Sequence, residues 1–449
     1  MMDIRGFQTE LFKRGKEQGF SEMEIYFSSN KAISISVFQR EIEEYTIIEQ
    51  GGVSFRGLYN GQMGYSYAEK VDRDSIGLLL EEAKGNSLVL EVEDGENLFE
   101  GSKSYAEPMP YSESLAKIDA ETLIEAAFRM EKAAYDFDKR IDLVNSCGIS
   151  KTISEMLIAN TFGLNCHRKT AYISAGIYLV AKDGESTATG GDQDFTLTDF
   201  SKLDFQKIAE KGAKEAISKL NAESIESGQY PVIFRYDTAS SLLGSYLDAF
   251  SADSVQKGYS KLIGRLNEQI AGSNITIIDD PTMSGVPGNA TFDSEGFATK
   301  RKELIKDGLL ANFLHNRKTA KKDGVESTGN AVKGGFQGTI GVGPYNVYLE
   351  PGDSSFDELI AKTDKGIVIV ELQGENAGIN PLAGDFSLAA IGFLVEDGKI
   401  VRPIDQFTIA GNFFELLNEI EEIGNDLTFR SSINFPSIKV KALSITGNK

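Results

Sequence analysis

The chain has 449 residues, of which 41% are hydrophobic and 25% are charged, close to ordinary globular proteins. This composition excludes a wholly disordered chain, a collagen and a coiled coil. Lys and Arg number 46 against 67 Asp and Glu, so the net charge is −21. Because such a surface repels phosphate backbones and anionic lipid, we expect neither nucleic acid nor a membrane as a direct partner.

The N-terminal half contains alternating helix and strand patterns. A short helix is predicted around Phe7–Phe12, and the strict alternation at Ile33–Val37 predicts a half-buried strand. Asn60-Gly61 has the residue types of a two-residue hairpin turn. Ser114–Tyr135 has an apolar face at helical spacing, and three strand-like stretches follow it.

Strand patterns dominate the C-terminal half. A helix is predicted over Leu242–Phe250, and Asp307-Gly308 and Asp397-Gly398 predict hairpins. Gly334–Gly343 reads as a mobile glycine-rich loop, and Thr408–Ile423 predicts a late helix. The class is therefore α+β, with helix-plus-antiparallel-sheet lobes followed by a β-rich C-terminal domain.

Two polar stretches mark candidate boundaries. Glu91–Pro110 is acidic and turn-rich, and Asn221–Gln229 is polar and contains Gly228. We therefore predict an N-terminal α/β lobe at 1–100, a middle α/β lobe at 101–224 and the β-rich domain at 225–449.

The small number of cysteines and the charged N-terminus predict the cellular compartment. Cys147 and Cys166 are too few for a disulfide framework, and the N-terminus has no apolar signal region. We expect a cytoplasmic protein. Only His167 and His315 are present, which excludes a zinc motif built on two histidines of one helix.

Candidate chemical groups each have a structural interpretation that is favoured. Cys166-His167 would point to opposite faces of a strand, so the pair cannot share one ion. His315, near several basic residues, is interpreted as a solvated strand end. Asp279-Asp280 and the pair Asp293 and Glu295 could perform acid–base chemistry, but close acid pairs arise by chance among 67 acids.

Longer segments of the C-terminal half resemble the TldD/PmbA family, also called modulators of DNA gyrase. The resemblance lies in family order from about Pro231 to Gly447. It is carried by these segments: Thr291–Arg301, Ile305–Leu310, Arg317–Ala320, Pro351-Gly352, Gly378–Asn380, Gly384–Ser387, Gly392-Phe393, Ile409–Asn412 and Ile423–Asp426.

This resemblance implies a cytoplasmic peptide-processing protease in which one type of subunit carries zinc on an HExxxH helix with a cysteine ligand near the C-terminus. Aligned on Leu242-Leu243, the ligand positions fall on Gly244 and Ala249, and the glutamate position falls on Ser245. No cysteine follows Asp426. The resemblance is thus to the PmbA/TldE-type subunit, with no cofactor or catalytic residue of its own and zinc only in a TldD-like partner.

Three functions remain open at this point. The first is a metal-free subunit that pairs with a zinc-bearing TldD-like chain and forms part of a chamber for unfolded peptide, which could add to a sheet edge. The second is a metal-free homodimer that binds peptides or another protein. The third, an independent enzyme using Asp293 and Glu295, is the weakest. The candidate peptide or partner contacts are Gly338, Gly341, Gly384, Asp385, Phe386 and Ser387.

Overall fold

Six antiparallel strands organise the N-terminal half in the computed structural model, which describes residues 3–88 and 98–447. Their spatial order is β3-β2-β1-β4-β5-β6. The elements of this half are α1 (Ile4–Glu17), β1 (Phe20–Phe38), β2 (Glu41–Tyr59), β3 (Gln62–Ala68), α2 (Arg73–Ser87), α3 (Glu113–Ala116), α4 (Ala120–Phe137), β4 (Ile141–Asn160), β5 (Asn165–Asp183), β6 (Ser186–Thr196) and α5 (Phe205–Ser218).

The sheet joins the two predicted N-terminal lobes. Strand β1 pairs with β4 from Glu24–Asn160 to Val37–Cys147, so the ladder continues from one lobe into the other. The domain boundaries given above stay a prediction. Part of the predicted loop Glu91–Pro110 lies outside the described residues.

All four long helices cover one face of this sheet. Ile25 and Phe27 of β1 pack with α1 and α2, and Ile35 and Val37 of the same strand pack with α4 and α5. Each helix begins after an aspartate whose carboxylate accepts a backbone N–H of the first turn, which satisfies a donor that the helix leaves unpaired. These capping residues are Asp3, Asp72, Asp119 and Asp204.

The opposite face of the sheet carries no helix in the described part of the chain; it is polar along its middle, whereas Tyr26, Ile158 and Cys166 at one end pack against Phe292. Ser34 and Ser150 lie side by side on β1 and β4, with their hydroxyl oxygens 3.1 Å apart. The register places these further side chains on the same face: Ser28, Asn30, Thr152, Ser154, Thr170, Tyr172 and Ser174. Because hydroxyl and amide groups of this kind are satisfied by water or a ligand, the face is suited to line a solvent-filled space.

The C-terminal half is rich in strands, and five of them close into a ring. Strands β14, β7, β20, β17 and β16 pair in that order, and β16 pairs back to β14. A second sheet has the order β10-β9-β8-β13-β19. The elements are β7 (Gly228–Phe234), α6 (Tyr236–Gly244), α7 (Ala252–Gln256), β8 (Ile277–Asp279), β9 (Lys302–Lys306), β10 (Leu309–Leu310), α8 (Arg317–Asp323), β11 (Ala331–Lys333), β12 (Ile340–Val342), β13 (Val347–Leu349), α9 (Phe356–Ala361), β14 (Lys365–Gln373), α10 (Glu375–Gly378), β15 (Ile379–Asn380), β16 (Asp385–Glu396), β17 (Lys399–Asn412), α11 (Phe413–Glu419), β18 (Ile420–Ile423), β19 (Ile433–Asn434) and β20 (Ile438–Thr446).

These elements confirm the predicted α+β class and several local predictions. Asn60 and Gly61 have φ values of 50° and 79°, and Asp397 and Gly398 have 48° and 72°. Both pairs connect adjacent antiparallel strands, as predicted. Positive φ at two successive positions is what a hairpin turn matched to the strand twist requires, and Asn, Asp and Gly tolerate it.

Two predicted helices are shorter than expected. The helix predicted at Ser114–Tyr135 is interrupted before Asp119, because that residue caps α4 by accepting the N–H of Thr122 at 2.9 Å. The helix predicted at Thr408–Ile423 spans only Phe413–Glu419, because Thr408 and its neighbours pair with β20 instead. Sheet pairing here outweighs the local helical pattern.

A short irregular segment ties the two halves together. Phe99 stacks on Phe297 with ring centroids 5.4 Å apart, and its carbonyl accepts the Asn160 amide at 2.7 Å. The Tyr105 hydroxyl donates to the Gly296 carbonyl at 2.8 Å. These contacts fix the C-terminal domain against the sheet. No helix of the described residues is both long and apolar enough to span a bilayer.

Candidate functional site

A cleft of about 1560 Å³ separates the N-terminal sheet from the C-terminal domain. One wall is formed by β4, β5, β6 and α5, and the other by α6, the end of β14 and the segment around β19. Gly148, Gly176 and Tyr178 contribute the sheet side, while Ser241 and Ser245 contribute the helix side. Glycines and small hydroxyls leave room above the sheet, so the cleft can admit an extended chain.

A second cavity of about 610 Å³ lies over the same face of the sheet. Asn30, Ser154 and Thr170 occupy one row of that face and line the second cavity. The row of Ser36, which contains Gly148 and Gly176 of the cleft, lies six residues further along β1. At about 3.3 Å per residue, the two rows are about 20 Å apart. The cleft and the cavity therefore share one polar floor.

Two of the three positions that align with the zinc motif lie at the C-terminal end of helix α6, Gly244 as its last residue and Ser245 as its C-cap. The helix ends at Gly244, and a tight turn at Leu247–Phe250 follows. Gly244 and Ser245 line the cleft, whereas Ala249 is only 6% exposed and packs in the core. The predicted continuous helix Leu242–Phe250 is therefore wrong.

The early end of α6 has a packing cause. Tyr246 is fully buried and stacks on Phe413, with ring centroids 4.5 Å apart. Its hydroxyl donates to the Asp385 carbonyl at 3.0 Å. Burying this large ring and satisfying its hydroxyl at the same time fixes the chain direction after Gly244.

The residues at these positions do not fit a zinc ion. Gly244 offers no side-chain ligand, and the Ser245 hydroxyl donates to the Ser241 carbonyl at 2.9 Å. Zinc in proteins is held by thiolate, imidazole and carboxylate groups. Across residues 3–88 and 98–447, no group of three His, Cys, Asp or Glu side chains is arranged to hold a metal ion.

Arg235 is the central charged residue of the cleft. Its guanidinium donates to both carboxylate oxygens of Asp237, at 2.8 and 2.6 Å, and to both of Glu215, at 2.8 and 3.2 Å. It also donates to the Val370 carbonyl at 3.0 Å. Burial lowers the pKa of Arg235, but the Asp237 and Glu215 carboxylates more than offset this and hold it above its usual range. Because Glu215 lies on α5, this network links the sheet lobe to the C-terminal domain.

Two further ion pairs cross the cleft. The Lys219 ammonium lies 2.8 Å from Glu371 of β14. Arg430 lies 2.5 Å from Asp192 of β6, and its guanidinium is 5.7 Å from the centre of the Tyr236 ring. These residues are far apart in sequence, and no local pattern identified them. Together with Arg235 they set the distance between the two walls.

The glycine-rich segment is placed beside the second cavity. It forms the β11–β12 hairpin, in which Gly341 pairs with Val332. Gly341 lies on β12, which pairs only with β11 among the described residues, and Gly338 lies in the connecting turn. The neighbouring Phe336 lies against Gly52 of β2, where a Cβ would come within 2.6 Å of the ring. Gly338 and Gly341 as peptide contacts stay a prediction.

The second predicted contact group begins strand β16. Gly384 has a φ of 83°, and Phe386 is buried in the C-terminal core. Asp385 and Ser387 are exposed, and the Asp385 carboxylate accepts the Asn412 amide at 2.8 Å. The group lies in a different sheet from Gly338 and Gly341, next to Tyr246 at the end of α6. A role in binding peptide or a partner stays a prediction.

The buried carboxylates are engaged by the fold. Asp293 accepts the N–H groups of Glu295, Phe297 and Ala331 at 2.9, 2.9 and 3.1 Å. Burial, and next the charge of Glu295, raise the pKa of Asp293 to about 7. Asp279 is fully buried and lies 3.1 Å from the Lys302 ammonium. These contacts are those of structural residues.

The structure places the histidines and cysteines in different environments. His315 is 7% exposed and its Nδ1 has no partner, so its prediction as a solvated strand end is wrong. Its main chain bonds to Thr328 and Ser327, which draws the ring inward while the following lysines stay on the surface. Both cysteines are buried and free, and His167 is partly exposed, 2.8 Å from Glu155.

Comparison with known proteins agrees with this arrangement. The models for the first, central and C-terminal domains of the PmbA/TldA metallopeptidases match residues 23–87, 113–220 and 227–447. A metalloprotease PmbA homolog of Buchnera aphidicola is 31% identical over 74% of this chain and 72% of its own.

Two solved structures share the whole architecture. A modulator-of-DNA-gyrase protein from Thermotoga maritima is 31% identical, with a TM-score of 0.90 over 99% of this chain and 100% of its own. TldE from Thermococcus kodakarensis is 27% identical, with a TM-score of 0.88 over 98% and 100%. The chain therefore belongs to the PmbA/TldD family of metallopeptidase-like proteins.

Proposed function

We propose that this chain is a PmbA/TldE-type subunit, without a metal of its own, of a TldD/TldE-type peptide-processing assembly. In this role it pairs with a zinc-bearing TldD-like chain in the cytoplasm and supplies one wall of the space that admits unfolded peptide. The observation that carries the proposal is the polar sheet floor of the cleft, which faces a wall where Gly244 and Ser245 occupy the positions of an active relative's zinc ligand and glutamate.

The floor and the wall have the chemistry that an extended peptide needs. Hydroxyl groups such as Ser34, Ser150 and Ser174 can donate to and accept from a peptide backbone without selecting its sequence. The ion pairs of Arg235, Lys219 and Arg430 cross the cleft and fix its two walls relative to each other, so the space does not have to be opened by the peptide. A preformed site loses less conformational entropy on binding.

Mixing experiments test the proposal. The purified chain is combined with a zinc-bearing TldD-type relative, and both co-elution and cleavage of an unstructured peptide are measured. We expect a stable complex that cleaves peptide. The variant Ser245→Trp fills the cleft and should reduce cleavage at least tenfold, while Ser273→Trp, at an exposed position outside the cleft, should not.

Sedimentation separates this proposal from the homodimer alternative. A heterodimer should form at the expense of any self-association when the relative is added. A tight homodimer that does not exchange with the relative, together with no cleavage in the mixture, would contradict the proposal and favour a metal-free binding module.

A further inference from the structure

Two cations line the second cavity without a carboxylate partner. Lys333 and Arg168 both face this space, and neither forms an ion pair with a carboxylate of the described residues. In a chain with 67 acidic residues and a net charge of −21, two such cations in one cavity are unexpected. A buried or half-buried charge without a counter-ion is costly, so this arrangement points to an anion that arrives from outside.

Lys333 is held over strands β1 and β2 by neutral groups. Its ammonium donates to the Ser54 hydroxyl at 2.9 Å and lies 4.3 Å from the centre of the Tyr26 ring. The charge of the Glu24 carboxylate favours protonated Lys333. However, this carboxylate already binds Arg56 at 2.7 Å and Asn160 at 3.1 Å. Burial lowers the pKa of Lys333 to about 8. An incoming anion would therefore stabilise the charged form.

Arg168 lies on β5 and lines the same cavity as Tyr26. Its guanidinium donates to the Asn289 carbonyl at 3.2 Å and lies 5.9 Å from the Phe292 ring centre. Burial raises the pKa of Tyr26, and the positive charge of Arg168 opposes that rise. Arg168 and Lys333 thus both interact electrostatically with Tyr26. These two contacts leave other N–H groups of a five-donor guanidinium for a ligand.

The remaining lining is suited to the rest of a peptide. Among the described residues that line the cavity, Glu155 is the only acidic one, and its carboxylate lies 2.8 Å from His167. Asn30, Ser154 and Thr170 supply hydrogen-bonding groups on the floor, and Tyr172 supplies an apolar surface. The same floor continues to the cleft, about 20 Å away, which is the length of about six extended residues.

We infer that Lys333 and Arg168 bind a carboxylate of an extended peptide whose remaining residues lie along the sheet floor toward the cleft. This inference rests on the proposed function and names the feature of the substrate that this chain recognises. The carboxylate can be a chain terminus or an acidic side chain, and both present the same pair of oxygens to a guanidinium and an ammonium.

Binding of matched peptides to the full chain tests the inference. Fluorescence anisotropy is measured with an eight-residue uncharged peptide labelled at its N-terminus, prepared with a free C-terminal acid and as the C-terminal amide. A third peptide carries the amide and one internal Asp, with Asn as its match. We expect at least one carboxylate peptide to bind about tenfold more tightly than its neutral match, and which one does so identifies the source of the carboxylate.

Variants assign the effect to the two cations. Lys333→Met and Arg168→Gln should each weaken the carboxylate peptide about tenfold and leave its neutral match unchanged, while Lys333→Arg should retain most of the preference. Lys399→Gln, at an exposed cation on β17, is the matched control and should change nothing. Equal unfolding temperatures would show that each variant is folded.

Two results would overturn the inference. The first is equal affinity for acid and neutral peptides, including no measurable binding of either. The second is a loss in Lys333→Met that affects both peptides equally. If the mixed subunits still cleave peptide, either result removes only the carboxylate site. If carboxylate-dependent binding persists but the mixture cleaves nothing, only the proposed function fails.

Discussion

Removing the Arg235 guanidinium should loosen the contact between the two walls of the cleft. In Arg235→Met the five hydrogen bonds to Asp237, Glu215 and Val370 are lost, while most of the aliphatic packing is kept. Breaking a buried ion pair from one side costs about 3–5 kcal/mol. Asp237 is 40% exposed and can be rehydrated, and Lys219 remains 3.4 Å from Glu215. We therefore expect a loss of about 2–3 kcal/mol.

Differential scanning calorimetry measures this loss. At about 2.1 cal/mol/K per residue, a unit of roughly 220 residues has an unfolding entropy near 0.46 kcal/mol/K. A loss of about 2–3 kcal/mol then lowers Tm by about 4–7 °C. The matched control is Arg265→Met, which removes an exposed pair with Glu268 and should shift Tm by about 1 °C or less. If Arg235→Met shifts Tm no more than the control, the ion network does not hold the walls together.

Three further predictions concern the N-terminal sheet, a buried acid and the thiols. Gly64→Ala should destabilise the protein by about 1–3 kcal/mol, because the added Cβ would come within 1.8 Å of a carbonyl oxygen of α2. The control Gly77→Ala, in open space on that helix, should stabilise the protein by about 0.5–1 kcal/mol. Equal Tm shifts of the two variants would refute this. The pKa of Asp293 in the folded chain is raised to about 7. Its contribution to the free energy of unfolding is therefore complete below about pH 4 and is lost as pH rises through 7, by up to about 4 kcal/mol. Asp293→Asn should flatten the dependence of Tm on pH over that range, and an unchanged slope would contradict the assignment. Burial raises the pKa of both thiols, that of Cys147 to about 12. Neither Cys147 nor Cys166 should therefore react with Ellman's reagent at pH 8 until the chain is unfolded. Rapid reaction of the folded protein would show that the thiols are accessible.

Local chemistry predicted those parts of the fold that depend on adjacent residues. Asn60-Gly61 and Asp397-Gly398 form the expected turns because their φ values are set by residue type. The alternation of apolar and polar residues over Ile438–Ile445 is typical of a strand, and β20 spans this segment. The same reasoning could not predict that β1 pairs with β4, since more than a hundred residues separate Ile25 from Ala159.

The errors have the same origin. Thr408 and Ile409 fit a helical pattern equally well, but pairing with Ser444–Thr446 makes them strand residues. The segment after Gly244 leaves the helix because Tyr246 stacks on Phe413, a partner far along the chain. His315 is buried through hydrogen bonds of its main chain, which its basic neighbours in sequence do not reveal.

In the candidate site, too, some residues could be identified from the sequence and others depend on contacts between distant elements. Gly244 and Ser245 were identified by register against a family pattern, and both line the cleft. Arg235, Lys219 and Arg430 were not, because the ion pairs by which they cross the cleft join residues of different structural elements. The two cations of the second cavity, Arg168 and Lys333, lie 165 positions apart and line one space because the glycine-rich hairpin docks on the sheet.

Zinc content measured together with peptide hydrolysis shows whether this chain acts as a metal-free subunit. The chain is purified alone, analysed for bound metal and assayed on an unstructured peptide, before and after addition of a zinc-bearing TldD-type relative and with and without a chelator. The account predicts no stoichiometric zinc and no hydrolysis by the chain alone, and chelator-sensitive hydrolysis in the mixture. One tightly bound zinc per chain, with chelator-sensitive hydrolysis in the absence of any relative, would contradict it.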